Sequence, residues 1–93
     1  MTRRKPTAPL DMLLGALAEP TRRRIFERIQ GEPGLTTSQL ATRTSGISRW
    51  GVMKHLDVLR DAGLVQTMAT GRLRRHYPER ASLEPLRTWL DER

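Results

Sequence analysis

Apolar residues change their spacing along this chain, and each change marks an element. Leu10, Leu13, Leu14 and Leu17 recur at the i, i+3, i+4 and i+7 positions of one helical face, so a first helix is expected from Leu10. Glu19-Pro20 breaks that pattern, and Pro20 suits the opening turn of a second helix over about 20–30. Leu17, Ile25, Phe26 and Ile29 are its apolar candidates, with Arg22, Arg23, Arg24 and Arg28 around them; Arg22, Arg23 and Arg24 point in three directions on one turn, and most of these three read as ordinary surface. Gly31-Glu32-Pro33-Gly34 is a turn. Thr36 and Gln39 have the spacing of a capping box, which predicts a short third helix over about 37–43 with Leu40 and Ala41 inward. Thr44-Ser45-Gly46 turns the chain, and Ser48 is the expected N-cap of a fourth helix that ends near Ala62, before Gly63.

After Gly63 the period falls to two. Residues 64–68 and 73–77 flank Ala69-Thr70-Gly71-Arg72 and read as a β-hairpin, with Pro78 closing the second strand. Ser82 is the expected cap of a last helix over about 83–92, with Leu83, Leu86, Trp89 and Leu90 on one side. Two helices joined by a short glycine-containing turn form a helix-turn-helix unit. The predicted fold is therefore mainly α with a β-hairpin wing: a winged helix-turn-helix flanked by N- and C-terminal helices. Residues 1–9, with two prolines and Arg3, Arg4 and Lys5, read as a flexible basic arm, and 10–93 as a single domain.

Composition narrows what this domain does. Seventeen Lys and Arg against ten Asp and Glu give a net charge of +7, an excess that attracts polyanions. Hydrophobic content is 37% and aromatic content 4%, which leaves a thin core for 93 residues and favours support from a partner chain. There is no cysteine, so disulfides and thiolate metal sites are excluded, in keeping with a cytoplasmic setting. No apolar run approaches the roughly 18–20 residues that cross a bilayer, and no signal-peptide core follows the basic N-terminus.

Helical phase shows where the charge is used. At about 100° per residue, Val52, Leu56 and Leu59 form the buried stripe of the fourth helix, while Trp50 and Lys54 lie about 160° and 200° from Val52. Arg49 falls in the first turn, the part of a recognition helix that reaches base edges. Ser48, Arg49, Trp50, Met53 and Lys54 are the expected DNA-reading residues. Trp50 has two expected settings: against sugars or a thymine methyl in a duplex groove, or folded back into the protein. Gly51, unfavourable inside a helix, implies close approach by the preceding helix or by the DNA backbone. Arg72, Arg74, Arg75 and His76 place a basic wing beside this helix, suited to phosphates or the minor groove; a solvated strand edge is the plainer reading. Thr37 and Ser38, at the start of the third helix, are expected at the DNA backbone.

The motifs LLGALAEPTRRRIFERI, LTTSQLATRTSGISRWGVMKHLDVLRDAGLV and GRLRRHY resemble the arsenic-repressor (ArsR) type of bacterial winged-helix transcriptional regulators over about residues 13–77. That resemblance implies a homodimeric repressor on a palindromic operator, its terminal helices pairing across the two-fold axis. Leu10, Leu13, Leu14, Leu17, Leu86, Trp89 and Leu90 are the apolar positions available for that pairing, with packing inside its own chain as the alternative for Trp89. Metal-sensing members carry cysteines in the third helix or His/Asp/Glu clusters in the last. This chain has neither, since His55 and His76 lie on the recognition helix and the wing, so no metal and no cofactor are expected. SRWGVMKHLDVL also resembles a metal-free branch often encoded beside, or fused to, a ligand-binding domain.

No catalytic triad, carboxylate pair or phosphate loop is present, which argues against an enzyme. The expected function is a sequence-specific double-stranded-DNA-binding repressor, bacterial and nucleoid-associated. A basic winged-helix module for RNA, ribosome or protein contacts is the alternative. A small-molecule effector of unidentified kind is left open, and no membrane partner is expected.

Overall fold

A single residue separates the first two helices in the computed structural model, which describes residues 9–93. Helix α1 (Pro9–Ala18) starts one residue inside the expected arm, and α2 (Pro20–Gly31) follows after Glu19. The Glu19 carboxylate accepts the backbone N–H of Arg22 at 2.7 Å, and that bond holds its pKa below the usual value. Arg22 and Arg23 link the two helices. The Nε of Arg22 donates to the Ala16 carbonyl and the guanidinium of Arg23 to the Leu17 carbonyl, each at 2.7 Å. The last carbonyls of α1 have no helical partner, so these arginines satisfy them and fold α2 back on α1. Arg3, Arg4 and Lys5 lie outside the described residues.

Strand β1 (Leu35–Thr36) leads directly into α3 (Thr37–Arg43), and α4 (Arg49–Asp61) follows. The capping box is formed, with Thr36 and Gln39 each bonding the other's backbone N–H. Ser48 caps α4 by accepting the N–H of Gly51 at 3.0 Å. The hairpin comprises β2 (Val65–Thr70) and β3 (Leu73–Pro78). Its strands run further than expected: Thr70 pairs with Leu73, leaving a two-residue Gly71-Arg72 loop with Gly71 at φ 62°.

The sheet order is β1-β3-β2, all antiparallel, so β3 is central. β1 has no counterpart in the sequence reading, because two residues are too short to show a period. The final segment also departs from it. Residues 80–83 form a 3-10 turn and α5 (Glu84–Asp91) begins behind it, without a cap from Ser82. Pro85 in the first helical turn and the Glu79 carboxylate, which accepts from Ala81 N–H, order this entry instead.

Leu13, Ile25, Ile29, Leu40, Val52, Leu56, Leu59 and Leu64 make up the centre of the core. Leu13 was expected at a dimer interface; at 1% exposure it belongs to the chain's own interior. Leu10, Leu17 and Leu86 are partly buried against the same core, whereas Leu14, Trp89 and Leu90 are exposed. Among the described residues, five α-helices with a three-stranded sheet ending in a hairpin constitute the winged helix-turn-helix architecture.

Candidate nucleic-acid interface

Helix α4 carries the expected reading residues on its outward face. Trp50 is 67% exposed, so it does not fold back into the protein, and the Lys54 ammonium sits 4.9 Å from its ring centroid. Arg49 and Met53 are exposed on the flank facing the wing. Gly51 is explained by the turn before the helix. A Cβ there would lie 2.9 Å from Cγ1 of Ile47, whose side chain packs against the core. Within the chain the close approach comes from this inter-helix turn rather than from the preceding helix.

Strand alternation divides the wing. The register places Thr67, Arg74 and His76 on one face of the hairpin and Met68, Leu73, Arg75 and Tyr77 on the other. Arg74 shares a cleft of about 360 Å³ with Arg49, Met53, Thr37 and Arg60, between α4 and the sheet. Arg72 and Ser38 border the adjoining hollow, again with Arg49 and Arg74. The fold thus brings Arg49, Arg72, Arg74, Thr37 and Ser38 to one side of the molecule, from α3, α4, β3 and the hairpin loop. Arg75 is not among them: its guanidinium donates to the Gly34 carbonyl at 2.9 Å, bracing the turn before β1.

His76 is the clearest departure from the expected wing. It is 1% exposed, with Nε2 2.8 Å from the Thr37 hydroxyl and Nδ1 2.9 Å from the Thr67 hydroxyl. Its neighbour Thr67 also accepts from Arg60 at 3.0 Å, and Arg60 is paired with Asp57. A neutral ring suits this chain of bonds: Thr67 donates to Nδ1 while Nε2–H donates to Thr37. Burial pushes the His76 pKa from 6.5 to about 4, assisted by the positive charges of Arg60 and Arg74. His76 therefore clamps β2 and β3 onto α3 and α4 rather than meeting DNA. Thr37 is likewise buried, its hydroxyl committed to His76, while Ser38 is exposed.

Sequence reasoning missed Arg60, whose bonds reach from α4 to the wing. The signal was available, since Arg49 and Arg60 are eleven residues apart in the sequence and so only about 20° apart around the helix. On the opposite flank, His55 Nδ1 lies 3.3 Å from the Arg22 guanidinium. Among the described residues, no three His, Cys, Asp or Glu side chains are grouped as metal ligands, and no helix is long and apolar enough to cross a membrane.

The chain matches a family model described as a helix-turn-helix domain over residues 17–67. The HTH-type transcriptional regulator Rv2034 of Mycobacterium tuberculosis is 42% identical over 81 residues, spanning 87% of this chain and 74% of the relative. The uncharacterized HTH-type transcriptional regulator YuzN of Bacillus subtilis is 36% identical over 69 residues, spanning 69% of this chain and 75% of its own length. The crystal structure of an ArsR family transcriptional regulator superposes with a TM-score of 0.81 at 32% identity, over 98% of this chain and 91% of that one.

Proposed function

The chain belongs to the ArsR-type helix-turn-helix transcriptional regulators, a family of DNA-binding proteins rather than enzymes, and on that premise we propose that it is a homodimeric repressor of a palindromic operator that works without sensing metal. The observation that carries this reading is the convergence of Arg49, Arg72 and Arg74 on one flank of α4, the helix whose outward face exposes Trp50 and Lys54. In a major groove, Arg49 at the first turn reaches guanine O6 and N7, and Lys54 meets a base or a phosphate. Arg72 and Arg74 follow the phosphate backbone beside it, with Ser38 at the start of α3. Arg3, Arg4 and Lys5 add further positive charge.

Two further features support the finer parts. Leu14 on α1 and Trp89 and Leu90 on α5 leave apolar surface exposed on helices that pack together, which suits pairing with a second copy. Both histidines are already engaged, His55 by Arg22 and His76 by two threonines, which suits regulation without metal. A cytoplasmic, nucleoid-bound protein follows from this role.

Selection from a random duplex pool at two salt concentrations tests the proposal directly. A two-fold symmetric motif with half-sites about 10 bp apart is the expected result. Retention without any motif, vanishing as salt rises, would leave only a non-specific grip on polyanions, and RNA or protein contacts would become the better reading. On the selected operator, Arg49→Ala is expected to weaken binding by about 1–3 kcal/mol and relax base preference. Arg74→Ala is expected to weaken all duplexes alike. Competition binding with an unchanged preference in the Arg49 variant would remove α4 from the role of reader.

A further inference from the structure

Among charged neighbours, the reading face of α4 exposes two large apolar side chains. Trp50 is 67% and Met53 47% exposed, three residues apart and therefore adjacent on the helix surface. Both lie in the N-terminal half of α4, the part that enters a groove. They are separate from the exposed apolar residues of α1 and α5, and Met53 borders the cleft that holds Arg49 and Arg74. Lys54 lies over the Trp50 ring and restrains it, and Asp57, next along this face, is tied to Arg60. The result is a small apolar patch with a charged rim.

Leaving such a patch in water is unfavourable unless its partner is apolar too. On the base edges of a major groove the bulky apolar group is the C5-methyl of thymine, which 5-methylcytosine shares; the other bases present donors and acceptors and, at C5 of cytosine, only a hydrogen. Neither Trp50 nor Met53 can satisfy those polar positions well, because indole has one N–H donor and a thioether is a weak acceptor.

We propose that each operator half-site presents a C5-methyl group to Trp50 and Met53, so that α4 reads a methyl beside the base contacted by Arg49. The inference rests on α4 being the reading helix. It makes Trp50 and Met53 specificity-determining residues and the pyrimidine methyl their ligand. Removing the methyl leaves the hydrogen-bonding edge of the base intact, so the contribution of the patch can be separated from that of the arginines.

The test uses the full chain and the operator recovered from the random pool. Each thymine is replaced in turn by deoxyuridine, which lacks only the methyl. One thymine per half-site is expected to weaken binding about fourfold when so replaced, the value of one methylene-sized group removed from an apolar contact. Replacing both symmetry-related thymines is expected to weaken it about fifteenfold, as separate sites add. In Trp50→Ala and Met53→Ala the same replacement is expected to have little further effect. A second arm places cytosine or 5-methylcytosine at that position. Restoration by 5-methylcytosine shows that the methyl alone is read, and no restoration shows that thymine is required. If no deoxyuridine changes affinity beyond 1.5-fold while Arg49→Ala still relaxes preference, the proposal fails and the reading role of α4 stands. A deoxyuridine effect that persists undiminished in both variants assigns the methyl to another contact and also overturns it. A pool that yields no motif removes the reading role itself.

Discussion

Between pH 7 and pH 4 the folded protein is expected to lose about 3 kcal/mol of stability through one side chain, His76. In the folded state its buried ring takes a proton only near about 4, whereas in the unfolded chain it does so at the ordinary 6.5. Within that window the unfolded state binds more protons, so stability is full above 6.5, declines as the pH falls, and stops declining below about 4. A loss of this size is a large part of the 5–15 kcal/mol typical of a domain. Urea unfolding followed by circular dichroism at pH 7, 5.5 and 4 measures it, with His76→Gln as control. Glutamine at that position does not titrate, so the variant should be less stable at neutral pH yet much less sensitive to acid. Parallel pH profiles for the two proteins would show that the acid response comes from other groups. The effect bears on function because the same ring joins β3 to Thr37 of α3 and Thr67 of β2. Molecules that unfold lose this clamp, and with it the placement of Arg74 beside Arg49.

The second large effect concerns the exposed apolar surface on the outer helices. Trp89→Glu combined with Leu90→Glu is expected to produce a monomer that binds the palindromic operator about 10²–10⁴-fold more weakly. Both residues lie outside the core, and Leu86, on the inner side of α5, is untouched, so the fold should survive. Carboxylates placed in a contact between two copies would be buried without partners, which a dimer cannot accommodate. Binding to an isolated half-site should change little if, as proposed, each copy reads its own half with α4. Sedimentation equilibrium together with operator titrations checks both parts. A wild-type protein that is monomeric at micromolar concentration, or a variant of unchanged mass, would disprove the dimer assignment.

Much of the recognition unit was legible because its determinants are local. The Thr36–Gln39 box and the Ser48 cap act within three residues of themselves, so α3 and α4 fall where the spacing puts them. The phase of α4 follows from Val52, Leu56 and Leu59, and it turned Trp50 and Lys54 outward as observed. The wing was harder. Residues 73–77 announce alternation, but period two does not say which face turns inward. Leu73, the most apolar of them, is exposed, while His76 is buried because two threonines and an arginine distant in sequence complete its polar network.

A comparable ambiguity affected α1. Its leucine stripe showed that something must cover it, not whether the cover was the chain's own core or a second copy. The structure divides the stripe, with Leu13 inside the chain's core and Leu14 left exposed. By itself the sequence determined the order of the elements, the caps, the outward face of α4 and the basic character of the surface, all properties of neighbouring residues or of composition. Tertiary structure alone decided that Arg49 and Arg74 share a cleft, that Arg75 and His76 hold the wing in place, and that Gly51 makes room for Ile47. Those outcomes depend on which surfaces meet once the helices pack, and short-range periodicity does not encode that choice.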